Sequence, residues 1–509
     1  TDGGFHEAKV YDRDALRPGD VVTGVAIIRE ATATTVVEPG WRARFTDRGN
    51  LVLERYEAAR RVHAIGTSAD PVLLEVFANL FMAIAEQMGV TLANTAHSVN
   101  IKERLDFSCA LFDRDGRLVA NAPHVPVHLG SMGESVRAVL QDNRGRMRPG
   151  DVFMQNAPYN GGTHLPDVTV ITPCWDAAGR EILFFVGSRG HHADIGGRTP
   201  GSSPPDARRI EEEGVLIDNW LLVEGGRLRE AETRELLSSG PWPCRRVEQN
   251  LADLAAQVAA NETGRRELVR MVDHFGLDTV QAYMGHVQDN AEASVRRVLV
   301  NLKAGALTCA PADGGRICVR ITVDRERRQA TIDFTGTSAQ HPGNRNAPQA
   351  VCRAAVLYVF RTLVDTDIPL NEGCLKPLEL IIPEGTLLNP RYPAAVVAGN
   401  TEVSQAITDC LYGALGLLAA SQGTMNNFLY GNACHQNYET ICGGTGAGPD
   451  HPGTDAVHSH MTNTRMTDPE VLEQRFPVRV EEFAIRTGSG GHGRFPGGAG
   501  VVRRLRFLE

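Results

Sequence analysis

Apolar and polar positions follow two different periods along this chain, and the change of period divides it. Residues 168–171 and 182–186 are rich in β-branched and aromatic types, and Asp176-Ala177-Ala178-Gly179 supplies a turn between them, which predicts a β-hairpin. Centring that turn between Ala177 and Ala178 sets His164 opposite His191 and brings Asp167 near Ser188. A second hairpin is predicted from residues 107–112 and 117–121 around Asp113-Arg114-Asp115-Gly116, and it carries Asp106 to the end that holds His124. Earlier, residues 21–28 and 34–37 read as strands punctuated by Pro18-Gly19 and Glu38-Pro39-Gly40, followed by a charged helical connector at 54–62. Asp70 and Pro71 open a helix bearing Leu74, Phe77, Leu80, Phe81 and Ile84, with Gly89 as its predicted stop.

Residues 247–302 switch to helical period, with Leu251, Leu254, Val258, Leu268, Val272, Val280, Met284, Ala291, Val295 and Val298 on recurring faces and breaks near Gly264 and Gly276. Strands at 317–323, 329–334 and 501–507 and helices at 350–364 and 404–419 complete the pattern. The predicted fold class is α+β and multi-domain. A β element at 1–55 and a linker at 56–69 precede a hairpin-rich core at 70–246, a helical arm at 247–302 and a mixed α/β region at 303–509.

Composition narrows the function more than the fold. With 509 residues, 42% hydrophobic and 22% charged, the chain has ample core for two or three domains. A net charge of -9 without any Lys/Arg-rich run argues against nucleic acid or an anionic membrane as partner, leaving a small molecule or a protein. The apolar stretch 411–420 is too short to cross a bilayer, and the opening Thr1-Asp2-Gly3-Gly4 lacks the regions of a signal peptide. An opening on Thr1 also fits a fragment or a processed product. Ten cysteines without a C-x-x-C pair fit reduced thiols in a cytosol. The Gly-rich segments 443–453 and 488–500 lack Gly-Lys-Ser/Thr opening a helix and read as turns rather than phosphate cradles.

The hairpin end at His164, Asp167 and His191, with Asp106 from the second hairpin, offers imidazole and carboxylate ligands that suit zinc, manganese or iron. Gly161, Gly162, Gly190, Gly196 and Gly197 leave room there for close backbone approach. His-x-x-Asp alone is a weak motif, its plain reading is a hydrogen-bonded loop, and the register does not separate His191 from His192. The segment from His458 to Arg465 groups imidazole, amide and guanidinium donors that suit a carboxylate or phosphate.

NIKERLDFSCALFD from Asn100, HVPVHLGSM from His124, GTHLPDVTVITP from Gly162, SRGHHADIGGRTPGSSPP from Ser188, SQGTMNN from Ser421 and HSHMTNTRMTDPE from His458 resemble the hydantoinase B and oxoprolinase family over residues 70–509. Residues 24–28 and 34–40 resemble the last piece of its hydantoinase A partner, whose actin-like ATP-binding domain has no counterpart here. The resemblance implies an ATP-coupled cyclic amidase, in which the A-type module uses ATP and magnesium to phosphorylate a lactam oxygen and the B-type module hydrolyses the activated ring. Opening of 5-oxo-L-proline to L-glutamate is the leading implication. Hydantoin or caprolactam hydrolysis, ketone carboxylation and a non-catalytic role beside an ATP-binding subunit are the alternatives.

The resemblance further implies Asp106, His164, Asp167 and His191 as ligands of a divalent metal, with His192 competing for the last place. It implies His124 or Glu103 for acid/base work, and Arg465, His460, Asn463 and Arg104 for holding substrate, although an ion pair of Arg104 with Glu103 or Asp106 is the plainer reading. It also implies a hydantoinase A-like partner; a cytoplasmic hetero- or homo-oligomer is expected, with the helical arm at 247–302 as its interface candidate.

Overall fold

The structure is a computed structural model that describes residues 7–56, 66–310 and 315–509. Most of the connector at 54–62 and of the linker at 56–69 lies outside the described residues. Two compact units are present, Thr1–Gly66 with His274–Gly276, and the remainder of the chain.

The small unit holds two three-stranded sheets. Lys9–Asp12, Ala26–Arg29 and Thr34–Val37 form one, and Val21–Thr23, Trp41–Phe45 and Leu51–Arg55 form the other. Val22, Ala26, Ile28, Val37 and Ala43 fill the core between them. The single strand predicted at 21–28 is two strands in different sheets. At Gly24 the chain crosses so near Glu38 that a Cβ would lie 1.9 Å from its carbonyl oxygen, and only glycine fits.

The large unit is built on a seven-stranded antiparallel sheet. Its spatial order is Arg227–Leu228, Trp220–Glu224, Val152–Gln155, Asp167–Trp175, Ile182–His191, Phe107–Phe112 and Leu118–Asn121. Strands Asp167–Trp175 and Ile182–His191 are central and buried on both faces, which is why their side chains read as apolar runs rather than a clean alternation.

The predicted register needs correction. Asp167, not His164, lies opposite His191, because a bulge at Cys174/Trp175 inserts a residue and the turn closes one position later than predicted. The Asp176 N–H donates to the Glu181 carbonyl at 2.9 Å, and the Asp176 side chain accepts from Arg180 and Glu181 N–H. His164 stands before the strand, in a turn closed by the Asp167 N–H on its carbonyl at 3.1 Å.

Helix Pro71–Thr95 begins as predicted, with Asp70 accepting from Val72 and Leu73 N–H, but it runs past Gly89. Gly89 is there for close approach, since a Cβ would stand 2.7 Å from the His124 ring. By length and composition this helix is apolar enough to span a membrane, with mean hydropathy 1.4 over eighteen residues, which the sequence reading missed. It lays Phe77, Phe81, Ile84, Met88 and Leu92 inside the fold, as the core helix of a folded domain does.

The helical region 247–302 is two helices, Val247–Phe275 and Leu277–Asn301, parted at Gly276 with φ +87 and continuous through Gly264. The first is no free arm. From its buried stripe Asn250, Asp253, Gln257 and Asn261, the last two bind the sheet, Gln257 donating to the Val168 and Ser188 carbonyls and Asn261 to that of Val170. In the C-terminal half, a four-stranded sheet of Gly305–Cys309, Ile317–Asp324, Gln329–Asp333 and Leu378–Ile381 packs with helices Gln349–Thr362 and Ser404–Leu415 around a second core. The architecture is thus α+β.

Candidate metal centre

His164, Asp167 and His191 converge, with one ligand atom from each lying within 4.8 Å of the others, and all three side chains are buried. Among the described residues they are the one such group of histidine, cysteine and carboxylate side chains. The local sequence makes the group. Asp167 and His191 are cross-strand partners at the end of the hairpin, and the tight turn at 164–167 folds His164 back onto Asp167.

The Asp167 carboxylate is held from several sides. Thr163 Oγ1 donates to Oδ2 at 2.7 Å, His128 Nε2 lies 3.2 Å from Oδ1, and His191 Nδ1 lies 3.1 Å from Oδ1. Burial alone pushes this carboxyl up. The imidazoles of His128 and His164 outweigh burial and hold it well below the usual carboxylate range. His191 is pushed down by burial, against the pull of Asp106 and Asp167.

His164 Nδ1 lies 2.9 Å from Asp167 Oδ2 in ion-pair range, yet neither ring nitrogen of His164 has a hydrogen-bond partner. His191 Nε2 is also without one. Buried, unpartnered imidazole nitrogens beside an ionised carboxylate are costly unless something positive joins them. A divalent cation fits that donor set.

Asp106 stands at the margin, 4.0 Å from His191 Nδ1 and 3.8 Å from Arg104 Nη1. His192, the competing ligand, is turned away. Its Nε2 meets Gln257 Oε1 at 3.1 Å and its Nδ1 meets Asn250 Nδ2 at 3.0 Å, so both nitrogens are satisfied.

The other predicted site residues scatter. His124 Nδ1 accepts from the Cys109 N–H at 3.0 Å and its ring meets Phe107 edge-on; burial pushes it down to about 4. Glu103 is paired with Arg475 at 3.1 Å. Arg104 is fully buried and spends its donors on the Tyr438 and Arg465 carbonyls and the Thr440 and Thr464 hydroxyls. His460 pairs with Asp409 at 2.9 Å, Asn463 donates to the His124 carbonyl, and the Arg465 side chain is exposed. The donors of residues 458–465 therefore do not converge on one ligand, because the chain turns at His460–Met461, with His460 at φ +57, and the side chains on either side face different neighbours.

Two participants, His128 and Tyr438, escaped the sequence reading, and a third, His458, entered it only as part of the 458–465 segment. His128, four residues beyond His124, reaches Asp167 from the start of helix Pro126–Asp142, and its Nδ1 lies 3.3 Å from Ser108 Oγ. Tyr438 stacks on His191 with centroids 4.2 Å apart, and the Arg104 guanidinium lies 4.8 Å from the Tyr438 ring centroid. His458 has two buried, unpartnered ring nitrogens, and burial, then the Arg104 charge, push it down to about 4 against Asp106. The signal for His128 was its place in the HVPVH stretch, one turn from the histidine chosen.

The mixed α+β scaffold that carries this buried His-Asp-His group is one shared with known proteins. The chain belongs to the hydantoinase B/oxoprolinase family: residues 70–509 match that family and residues 1–54 match the hydantoinase/oxoprolinase C-terminal domain. Among its relatives are 5-oxoprolinase 1 of Arabidopsis thaliana, 46% identical over 100% of this chain, and 5-oxoprolinase of Dictyostelium discoideum, 45% identical over 99%. The chain spans 42% and 40% of their respective lengths. The ATP-dependent caprolactamase from Pseudomonas jessenii superposes with TM-score 0.77 at 26% identity, covering 86% of this chain and 78% of that one. Nucleotide-free acetone carboxylase shares the fold, with TM-score 0.75 at 18% identity over 85% of this chain and 62% of its own.

Proposed function

We propose that this chain is the hydrolytic part of an ATP-dependent cyclic amidase that opens 5-oxo-L-proline to L-glutamate. The observation that carries this reading is the 46% identity to 5-oxoprolinase 1 of Arabidopsis thaliana along the whole of this chain. An unstrained five-membered lactam is a poor electrophile, so ring opening needs prior activation of its oxygen. That step, with ATP and magnesium, falls to a hydantoinase A-like module acting beside this chain in a soluble, cytoplasmic assembly.

His164, Asp167 and His191 are the residues that hold a divalent metal, zinc, manganese or iron, with Asp106 adjoining. Such an ion, when bound, lowers the pKa of water from about 15.7 toward 7. The chain's own groups do the rest. Thr163 and His128 fix the orientation of Asp167, and the Tyr438 ring fixes the plane of His191. His458, with both ring nitrogens unpartnered, is the group best disposed to bind substrate or carry a proton beside Asp106.

The test combines the chain with an ATP-binding A-type module and follows L-glutamate and phosphate release from 5-oxo-L-proline, with hydantoin and caprolactam in parallel. Glutamate formation in step with phosphate is the expected result. Opening of hydantoin or caprolactam alone would assign another task within the family, and turnover of none would leave a non-catalytic partner. Elemental analysis checks the metal separately: about one ion per chain is expected, and none in His164→Ala/His191→Ala.

A further inference from the structure

Away from the histidine group, the edge strand Gly305–Cys309 of the C-terminal sheet lies directly on helix Ser404–Leu415. Two glycines permit this approach. A Cβ on Gly305 would stand 1.9 Å from the Ala414 carbonyl oxygen, and one on Gly413 would stand 2.5 Å from Leu307 Cδ2. One helical turn back from Gly413, Cys410 Sγ lies 3.8 Å from the carbonyl oxygens of both Leu307 and Ile317.

Ile317 is the cross-strand partner of Cys309, so Cys410 reaches the strand pair at the level of Cys309. Leu307 faces the helix, and Cys309, two residues further along the strand, shares that face and turns its thiol toward Cys410. Cys318, paired with Thr308, belongs to the alternate set of side chains and turns to the opposite face, where its sulfur meets the Gly336 carbonyl oxygen at 3.3 Å.

The two members of the pair differ in access. Cys410 is buried, whereas Cys309 is half-buried and lines a cavity of about 350 Å³ together with His341, Glu402 and Asp409. The neighbouring Cys410 thiol pulls the Cys309 thiol below its ordinary range, against burial and the Asp409 charge, while Cys410 is pushed up. A half-buried thiol that lines a cavity beside a buried second thiol is an arrangement in which oxidation can stop at a disulfide.

We propose that Cys309 and Cys410 are a peroxide-oxidisable pair, Cys309 the attacking and Cys410 the resolving thiol. The Cys309 thiolate attacks one peroxide oxygen, the O–O bond breaks, and the departing hydroxide takes a proton to leave as water, giving Cys309 sulfenic acid. The Cys410 sulfur then attacks the Cys309 sulfur, the S–O bond breaks, and the hydroxyl leaves with the Cys410 proton as a second water. Two thiols lose two electrons in all, and one peroxide becomes two waters. The resulting disulfide fastens the edge strand to the helix that carries Asp409, the partner of His460.

The experiment treats the full chain with hydrogen peroxide, blocks free thiols by alkylation and maps peptides by mass spectrometry with and without dithiothreitol. A Cys309–Cys410 cross-linked peptide, two hydrogens lighter and reversed by dithiothreitol, is the expected product. In Cys410→Ser, Cys309 should be trapped as sulfenic acid and labelled by dimedone. A Cys309–Cys318 cross-link, direct passage of Cys309 to sulfinic acid in the parent, or reaction confined to the exposed Cys434 would each overturn the proposal. The readout is mass, so the outcome does not depend on which lactam the enzyme opens.

Discussion

Glu213 holds its carboxyl where the charged form is disfavoured. Burial pushes it up to about 8, although the N–H groups of Val396 and Val397 donate to it and pull the other way. The ordinary value is 4.5, so the folded state keeps a proton that the unfolded chain releases. Stability from this group is fully present below about pH 4.5 and is lost as pH rises through about 8. Urea unfolding of the parent should therefore weaken across that window, and Glu213→Gln, which keeps an acceptor for both N–H groups, should flatten the slope. At this scale the sequence displayed the chemistry but not its members. His124 and His128 stand four residues apart in one motif, and His458 and His460 stand two apart in another. Which of each pair faces the Asp106–Asp167 region depends on neighbours distant in sequence, and the one-dimensional pattern carries no such information.

Helix Pro126–Asp142 crosses helix Gln349–Thr362 at Gly130, where a Cβ would lie 2.5 Å from Ala354 Cα. Gly130→Ala should force the helices apart at a cost of about 1–3 kcal/mol, seen as a lower denaturation midpoint, with circular dichroism at low temperature unchanged. Displacement of this helix also moves His128, so the variant should bind metal less tightly. Elements themselves were legible. Strand Val501–Phe507 and the cap at Asp70 fall where periodicity and turn residues put them, because local sterics and hydrogen bonding dictate both. Errors gathered where glycine was read as punctuation. Gly89 and Gly264 lie inside helices, the first against the His124 ring and the second against Met88, and glycine serves packing there. The three-residue register error comes from a turn that closes one position later than predicted and from a β-bulge, which leaves little trace in a pattern of apolar positions.

Across the whole molecule, the C-terminal hairpin is fastened to the strand that carries Tyr438 by a buried ion pair. Arg503 Nε lies 3.1 Å from Glu439 Oε2, with the two side chains 1% and 0% exposed, and the Thr467 N–H also donates to Glu439. Arg503→Ala leaves a buried carboxylate without its cation and should cost about 3–5 kcal/mol in unfolding free energy, whereas Arg503→Met with Glu439→Gln should recover much of that loss. Because Glu439 adjoins Tyr438, the single variant should also loosen the ring that stacks on His191, weakening metal retention measured by elemental analysis. By itself the sequence determined the family, the α+β class, most helices and strands, and a histidine-carboxylate group at a hairpin end, because these follow from local periodicity, turn chemistry and motifs contiguous in the chain. Tertiary structure alone decided that Asp167 faces His191, that His128 and Tyr438 join them while His192 is given over to Asn250 and Gln257, and that the helices at 247–301 brace the sheet. Each of those outcomes rests on contacts between segments far apart in sequence, where burial and the need to satisfy every enclosed polar group select one arrangement.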